Sequence, residues 1–360
     1  MKRIALIVPL CLSLLHPAVA GSIPTQEISA DAKWLLHLDA GQFRASKVGG
    51  YFITEMLEKQ LSRPMQELQT KFKLDVNLEK IIGGINSITI YGTDYQSAQD
   101  HAVLLIRTSP EIEKILVGFL AGMALAGTNA PVQVTQSQEG NVSFYDIKNA
   151  AYCAVLPGKV IAVGRSREIT EKAAKVLAGQ APALTSGAAF GGFGDTKEAF
   201  FFLGVAEGFN AGNGLPPQAK LLQVADAGRV AVGEDAKQLF LNLALRGKTP
   251  EAVMQMQQVM QGILAIGSLS QPQDKDVAQL LQSVKVSTTD NFVNVHVEYP
   301  ADRAIEQLAH ANMRVQATPA HPATVSIGFR KDPANPPDAA EKETPNSEPP
   351  RVTPGGPGAN

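Results

Sequence analysis

Apolar positions recur along this chain in two alternating rhythms. From Trp34 to Asp39, Leu36 and Leu38 fall on one side, the period of two that marks a half-buried strand. A helical stretch follows over Val48 to Leu61, and Pro64 is expected to end or kink it, because proline lacks the N–H a helix needs. Ile85 to Tyr91 and Ala102 to Arg107 are two strands joined by a polar turn. Thr108-Ser109-Pro110-Glu111 then opens a helix. Ser109 supplies a capping oxygen, Pro110 fits the first turn, and Glu111 suits the positive end of the helix dipole.

The same order returns later. Gly228 to Val232 and Gln238 to Arg246 are strands, and Thr249-Pro250-Glu251 opens a long helix to about Ile266. Two more strand-strand-helix units are legible. One has strands near Ser143 to Leu156 and Val160 to Gly164, then a helix from Arg167 to Ala178. The other has strands at Val284 to Thr289 and Phe292 to Tyr299, then a helix from Ala301 to His310. Phe200 to Val205 precedes the later units as Trp34 to Asp39 precedes the earlier ones. The pattern predicts an internal duplication and an α+β class: two related halves built from strand-strand-helix units, antiparallel sheets with helices packed on one face.

The two ends differ in kind from this body. Lys2 and Arg3 precede an apolar run from Ile4 to Leu15, and Ala18-Val19-Ala20 supplies the small residues that signal peptidase requires. The run has 12 residues, too short to cross a hydrocarbon layer of about 30 Å as a helix. A cleaved leader at residues 1–20 is expected. Cys11 has Leu10 and Pro9 before it rather than a small residue, so a lipid-attachment site is rejected. At the other end Pro, Gly, Glu, Asn, Ala and Thr dominate, and such a segment buries too little apolar surface to offset its ordering entropy. The expected organisation is a signal peptide at 1–20, a first half at 21–180, a linker at 181–197, a second half at 198–317 and a disordered Pro/Gly-rich tail at 318–360. A last strand over Val325 to Phe329 is the one apolar patch in that tail.

Composition narrows the function classes. The chain of 360 residues is 44% hydrophobic and carries a formal net charge of −2, so it has a sizeable core and no basic footprint for nucleic acid. Of its two cysteines, Cys11 lies in the leader, so Cys153 has no partner for an internal disulfide. The apolar run around Cys153 makes it a buried, inert thiol.

Each candidate for chemistry has a plainer structural reading. Gly247-Lys248-Thr249 resembles the end of a phosphate loop, but Asn242 stands where the first glycine belongs, so a helix cap is the better reading. Gly191-Gly192-Phe193-Gly194 reads as a flexible linker. Ser166 sits between a strand and a helix as a hydrolase nucleophile would, but Glu168 replaces the second glycine of that turn, and Ser166 reads as an N-cap. His37 with Asp39, and His296 with Glu298, share strand faces and offer two metal ligands each. A zinc site needs three or four, and His101, His310 and His321 stand apart in sequence. No catalytic, cofactor or metal site is assigned.

Two helices carry unusual surfaces. Ile115 to Gly127 is uncharged, with Gly118, Gly122 and Ala126 four apart, which suits a core helix or else a homodimer seam. Glu251 to Ile266 sets a stripe of Val253, Met256, Met260, Ile263 and Leu264 against a face of Gln255, Gln258 and Gln261. The functional expectation is an exported periplasmic or secreted protein with no transmembrane span after cleavage. It would bind or scaffold a protein or small molecule without catalysis, through a sheet face or a groove between its halves. The alternatives are a secreted hydrolase with a dispersed active site, and an assembly component that uses its Pro-rich tail.

Overall fold

A computed structural model describes residues 23–317, apart from 73–76, 96, 99, 128–131, 159, 186–189, 191–192, 194–198, 209–223 and 271–274. The leader, the tail and its Val325 to Phe329 patch lie outside the described residues. The chain enters with a short 3-10 turn at Thr25–Glu27 and then forms β1 (Trp34–Asp39). Asp39 accepts the Gln42 N–H at 2.8 Å and so starts α1 (Ala40–Ala45). Next come α2 (Lys47–Tyr51), a π-helical segment at Phe52–Leu57, α3 (Glu58–Phe72) and α4 (Leu78–Gly84). The helical path therefore starts earlier than expected and runs through Pro64. Gln60, whose carbonyl loses its donor to that proline, is exposed, so water can satisfy it.

β2 (Ile85–Gly92) and β3 (Ala102–Thr108) lead to α5 (Pro110–Ala126), which starts where Ser109 accepts the Ile112 N–H at 3.4 Å. The stretch Ser143 to Leu156, expected to be one strand region, is two strands, β5 (Val142–Ile147) and β6 (Ala151–Leu156); an unexpected β4 (Val134–Glu139) precedes them, and β7 (Val160–Gly164) and α6 (Arg167–Leu177) follow. The second half holds β8 (Phe202–Glu207), β9 (Ala225–Asp235), β10 (Gln238–Gly247), α7 (Pro250–Ser270), α8 (Lys275–Ser283), β11 (Lys285–Thr289), β12 (Phe292–Pro300) and α9 (Ala301–Ala317).

Among the described residues all the named strands join one twelve-stranded sheet, in the order β11-β12-β10-β9-β8-β1-β2-β3-β7-β6-β5-β4. Every neighbouring pair is antiparallel. The halves repeat one path. In the first, β1, β2 and β3 lie side by side, α5 follows, and β7 returns beside β3. In the second, β8, β9 and β10 lie side by side, α7 follows, and β12 returns beside β10. The first half adds β4 and β5 at its outer edge. The halves meet at β1 and β8, where Leu35 lies opposite Val205 and His37 opposite Leu203.

The class is α+β, with helices laid on a large antiparallel sheet. The helices divide between its faces. α5 packs on Cys153, Val155 and Ile161, and α7 on Leu243, Leu245 and Val293, all on one face. α6 takes the other, over Ala154, Val160 and Ala162. Small residues let it approach closely: a Cβ on Gly164 would stand 2.6 Å from Thr170 Oγ1. On that face one core spans both halves, joining Leu35, Tyr91 and Leu105 to Leu203, Val205 and Ala231. Each large side chain buried there contributes roughly 1.5–3 kcal/mol. Phe190 and Phe193, within the expected linker, are buried in the same core, so that segment is anchored through its aromatic residues.

α7 follows its expected stripe at its start and departs from it later. Met256 and Val253 are buried, but Ile263 is exposed with Ile266 and Leu269. Among the described residues no helix is long and apolar enough to cross a membrane.

Candidate apolar ligand site

A large opening among the described residues lies mainly in the second half, on the face that carries α5 and α7. β10 and β12 pair so that Leu239 stands opposite Tyr299 and Leu241 opposite Val297. The strand period of two turns these residues to one face, with Val232 of β9 beside Leu241. α7 covers the Leu243 and Leu245 end of this surface. The Leu239 and Leu241 end is left to α8 and α9. α8 presents Val277, Leu280 and Leu281, spaced i, i+3, i+4, and α9 presents Ala304 and Leu308.

Sheet and helices do not close on each other. They leave an open cavity of about 810 Å³, inside the range of roughly 300–1,000 Å³ usual for small-molecule sites. Its polar side chains are few. Gln307 of α9 donates to the Asp276 carboxylate of α8 at 2.9 Å, a bond that ties the two helices together. Val48 of α2 forms part of the wall, and its position is fixed by charge. Glu234 accepts the backbone N–H groups of Lys47 and Val48 at 3.1 and 3.2 Å, and Lys47 Nζ lies 2.8 Å from Asp302 of α9. The Lys47 ammonium holds the Asp302 carboxyl below the usual carboxylate range.

The residues weighed for catalysis are not brought together. His37 is buried, with Nδ1 2.8 Å from Thr89 Oγ1 and its ring edge-on to Phe200. Burial holds its imidazole below the ordinary value, partly offset by Asp39. Asp39 is occupied as the cap of α1. His296 is bonded to Asn242 and lies 3.1 Å from Glu298. It sits four strand steps from His37, about 19 Å at ordinary strand spacing. Ser166 caps α6, accepting the Ile169 N–H at 3.4 Å. Thr249 likewise caps α7, accepting the Ala252 N–H at 3.2 Å. Cys153 is buried under α5, and burial pushes its thiol up to about 11. Among the described residues no three His, Cys, Asp or Glu side chains are grouped to hold a metal ion.

No family model matches the chain, and no curated protein matches it. Among solved structures it is similar to TP0453. Crystal forms III and I of that protein align at TM-scores of 0.44, with 9% and 12% identity, over 81% of this chain and 99% and 98% of theirs. Form IV aligns at 0.42, with 9% identity, over 80% of this chain and 97% of that one.

A smaller polar cavity of about 140 Å³ lies beside Asp31, Tyr91, His101, Glu168 and Lys172. Burial raises the Asp31 carboxyl, but its bonds to Lys172 and Ser29 outweigh this and hold it low. Asp31 and Lys172 are thus spent on each other.

The cavity lining was missed in the sequence, although its signals were present. Leu239, Leu241, Leu243 and Leu245 alternate along β10, and Val277, Leu280 and Leu281 fall on one helical face. Nothing in either pattern says that Leu239 and Leu241 are left lining an opening under α8 and α9.

Proposed function

We propose that this protein is an exported, non-enzymatic binding protein that holds an apolar chain between the β10–β12 surface and helices α8 and α9. The cavity of about 810 Å³ carries this reading. Leaving such a surface wet costs about 25 cal/mol per Å² of apolar area, and an apolar occupant recovers that cost. The walls come from strands, two helices and Val48, so a guest would be touched from several elements at once. Export is supported by the charged, apolar and small-residue order of residues 1–20. Binding without catalysis is supported by the employment of His37, Asp39, Ser166 and His296 in caps and hydrogen bonds, away from the cavity.

The test is titration of the full chain lacking residues 1–20 with N-phenyl-1-naphthylamine, a neutral dye that brightens in apolar surroundings. Saturable uptake is expected, with loss of at least about tenfold in affinity in Ala304→Phe, whose ring would project from the α9 wall into the cavity. Dye uptake that Ala304→Phe leaves unchanged would overturn the reading, as would no uptake at all. Mass spectrometry of the exported chain checks the leader, with Gly21 expected as the first residue.

A further inference from the structure

The apolar floor of the cavity continues beyond it. Val232, which lines the cavity, stands opposite Phe202 of β8, and Phe202 stands opposite Leu38 of β1. One step along the same face, Val230 stands opposite Gly204, and Gly204 opposite Leu36. The other neighbour of Val230 is Leu243, on which α7 packs, so these residues share the face that carries the cavity. A Cβ on Gly204 would lie 3.0 Å from Val230 Cγ1 and 3.2 Å from Leu36 Cδ2. The absent side chain therefore lets Leu36 and Val230 converge over the glycine. Leu36 is 42% exposed, although β1 lies in the middle of the sheet. Leu35, which points to the opposite face, is wholly buried. Val230, Phe202 and Leu38 are half-buried. Leu36 thus ends an apolar path that starts in the cavity. From Leu241 to β1 it covers three strand steps, about 14 Å. A peptide laid along this path would bury backbone N–H and C=O groups against side chains that cannot bond them. A hydrocarbon chain has no such groups.

We propose that the guest is a long acyl chain, which fills the cavity with one part and runs over Phe202 and Val230 onto Leu36 with the rest. The inference rests on the apolar-chain reading above and adds the length of the guest and its course.

The test is displacement of N-phenyl-1-naphthylamine by lauroyl- and stearoyl-lysophosphatidylcholine, which share one head group, each below its micelle concentration. It compares the full chain lacking residues 1–20 with its Leu36→Lys variant. The substitution is expected to weaken stearoyl binding at least about tenfold and to leave dye and lauroyl binding within about twofold. Melting temperatures check that the variant folds. Should it not fold, Leu36→Gln carries the test, with the same pattern expected on a smaller scale. Equal losses for the two esters, or no loss for either, would overturn the course over Leu36 while leaving the cavity reading intact. Dye that neither ester displaces would also overturn it. Absence of dye uptake by the unsubstituted chain would remove the cavity reading and this inference together. A species of doubled mass on light scattering that Leu36→Lys returns to a monomer would overturn the inference, by giving the Leu36 surface to a second copy of the chain.

Discussion

Leu241 of β10 lies directly opposite Val297 of β12, and both side chains line the apolar cavity instead of meeting a covering helix. Leu241 is 37% exposed, although it sits on an inner strand of a twelve-stranded sheet. Two strands away Leu203 is wholly buried. The contrast separates residues that hold the fold from residues left open to a guest.

Leu241→Lys is therefore expected to change stability little, within about 1 kcal/mol, since the side chain is already partly in water. It should also abolish dye uptake by placing a charge inside the cavity. Chemical denaturation and dye titration on the same preparation check both halves of this expectation.

Leu203→Ala should behave in the opposite way. The side chain is fully buried where the halves meet, next to the core residues Leu35 and Val205. A loss of roughly 2–5 kcal/mol is expected from the lost burial and the void it leaves. Because this core joins both halves, unfolding should remain one transition at a lower denaturant midpoint. Two separated transitions would show that the halves fold independently.

His37 gives a pH signature. Burial holds its folded-state value below the ordinary 6.5. As pH falls through about 6.5 the unfolded chain binds a proton there and the folded chain does not. Its contribution to stability is therefore intact above that pH and is lost on acidification, down to the folded value. His37→Gln should flatten the fall in melting temperature between pH 7.5 and pH 5, whatever it does to the value at pH 7.5. An unchanged slope would contradict the assignment.

Cys153 should be nearly unreactive. Burial against β7 and α5 pushes its thiol up to about 11, and the thiolate is the reactive form. At pH 8 an aromatic disulfide reagent is expected to label the folded protein at least about 100-fold more slowly than the denatured chain. Prompt labelling of the folded protein would show that the helix opens.

Ser166→Ala tests the cap reading of the serine once weighed as a nucleophile. Loss of the bond to the Ile169 N–H should cost about 1 kcal/mol and leave dye affinity unchanged, because Ser166 is not part of the cavity wall.

Local rules made much of this molecule legible in one dimension. Ser109, Ser166 and Thr249 each announce the helix they cap, since a cap needs a side-chain oxygen beside N–H groups only two or three residues away. Alternation along β10 and β12 announces strands, and the recurrence of strands and helices announces the α+β class and a related path in the two halves. Pro64 does not end its helix, and Gln60, whose carbonyl it leaves without a donor, is exposed to water. The anchored aromatics Phe190 and Phe193 were hidden in a Gly-rich stretch whose composition says loop.

By itself, then, the sequence determined that strands and helices alternate, where α5, α6, α7 and α9 begin, and that Cys153 is buried. Only the tertiary structure decided that both halves share one sheet through β1 and β8, that α6 takes the opposite face from α5 and α7, and that α8 and α9 leave an opening over Leu239 and Leu241 of β10. The reason is range. Capping and periodicity act over a few residues, whereas a cavity is the space left when elements tens of residues apart fail to fill each other's surfaces, and no local pattern records that remainder.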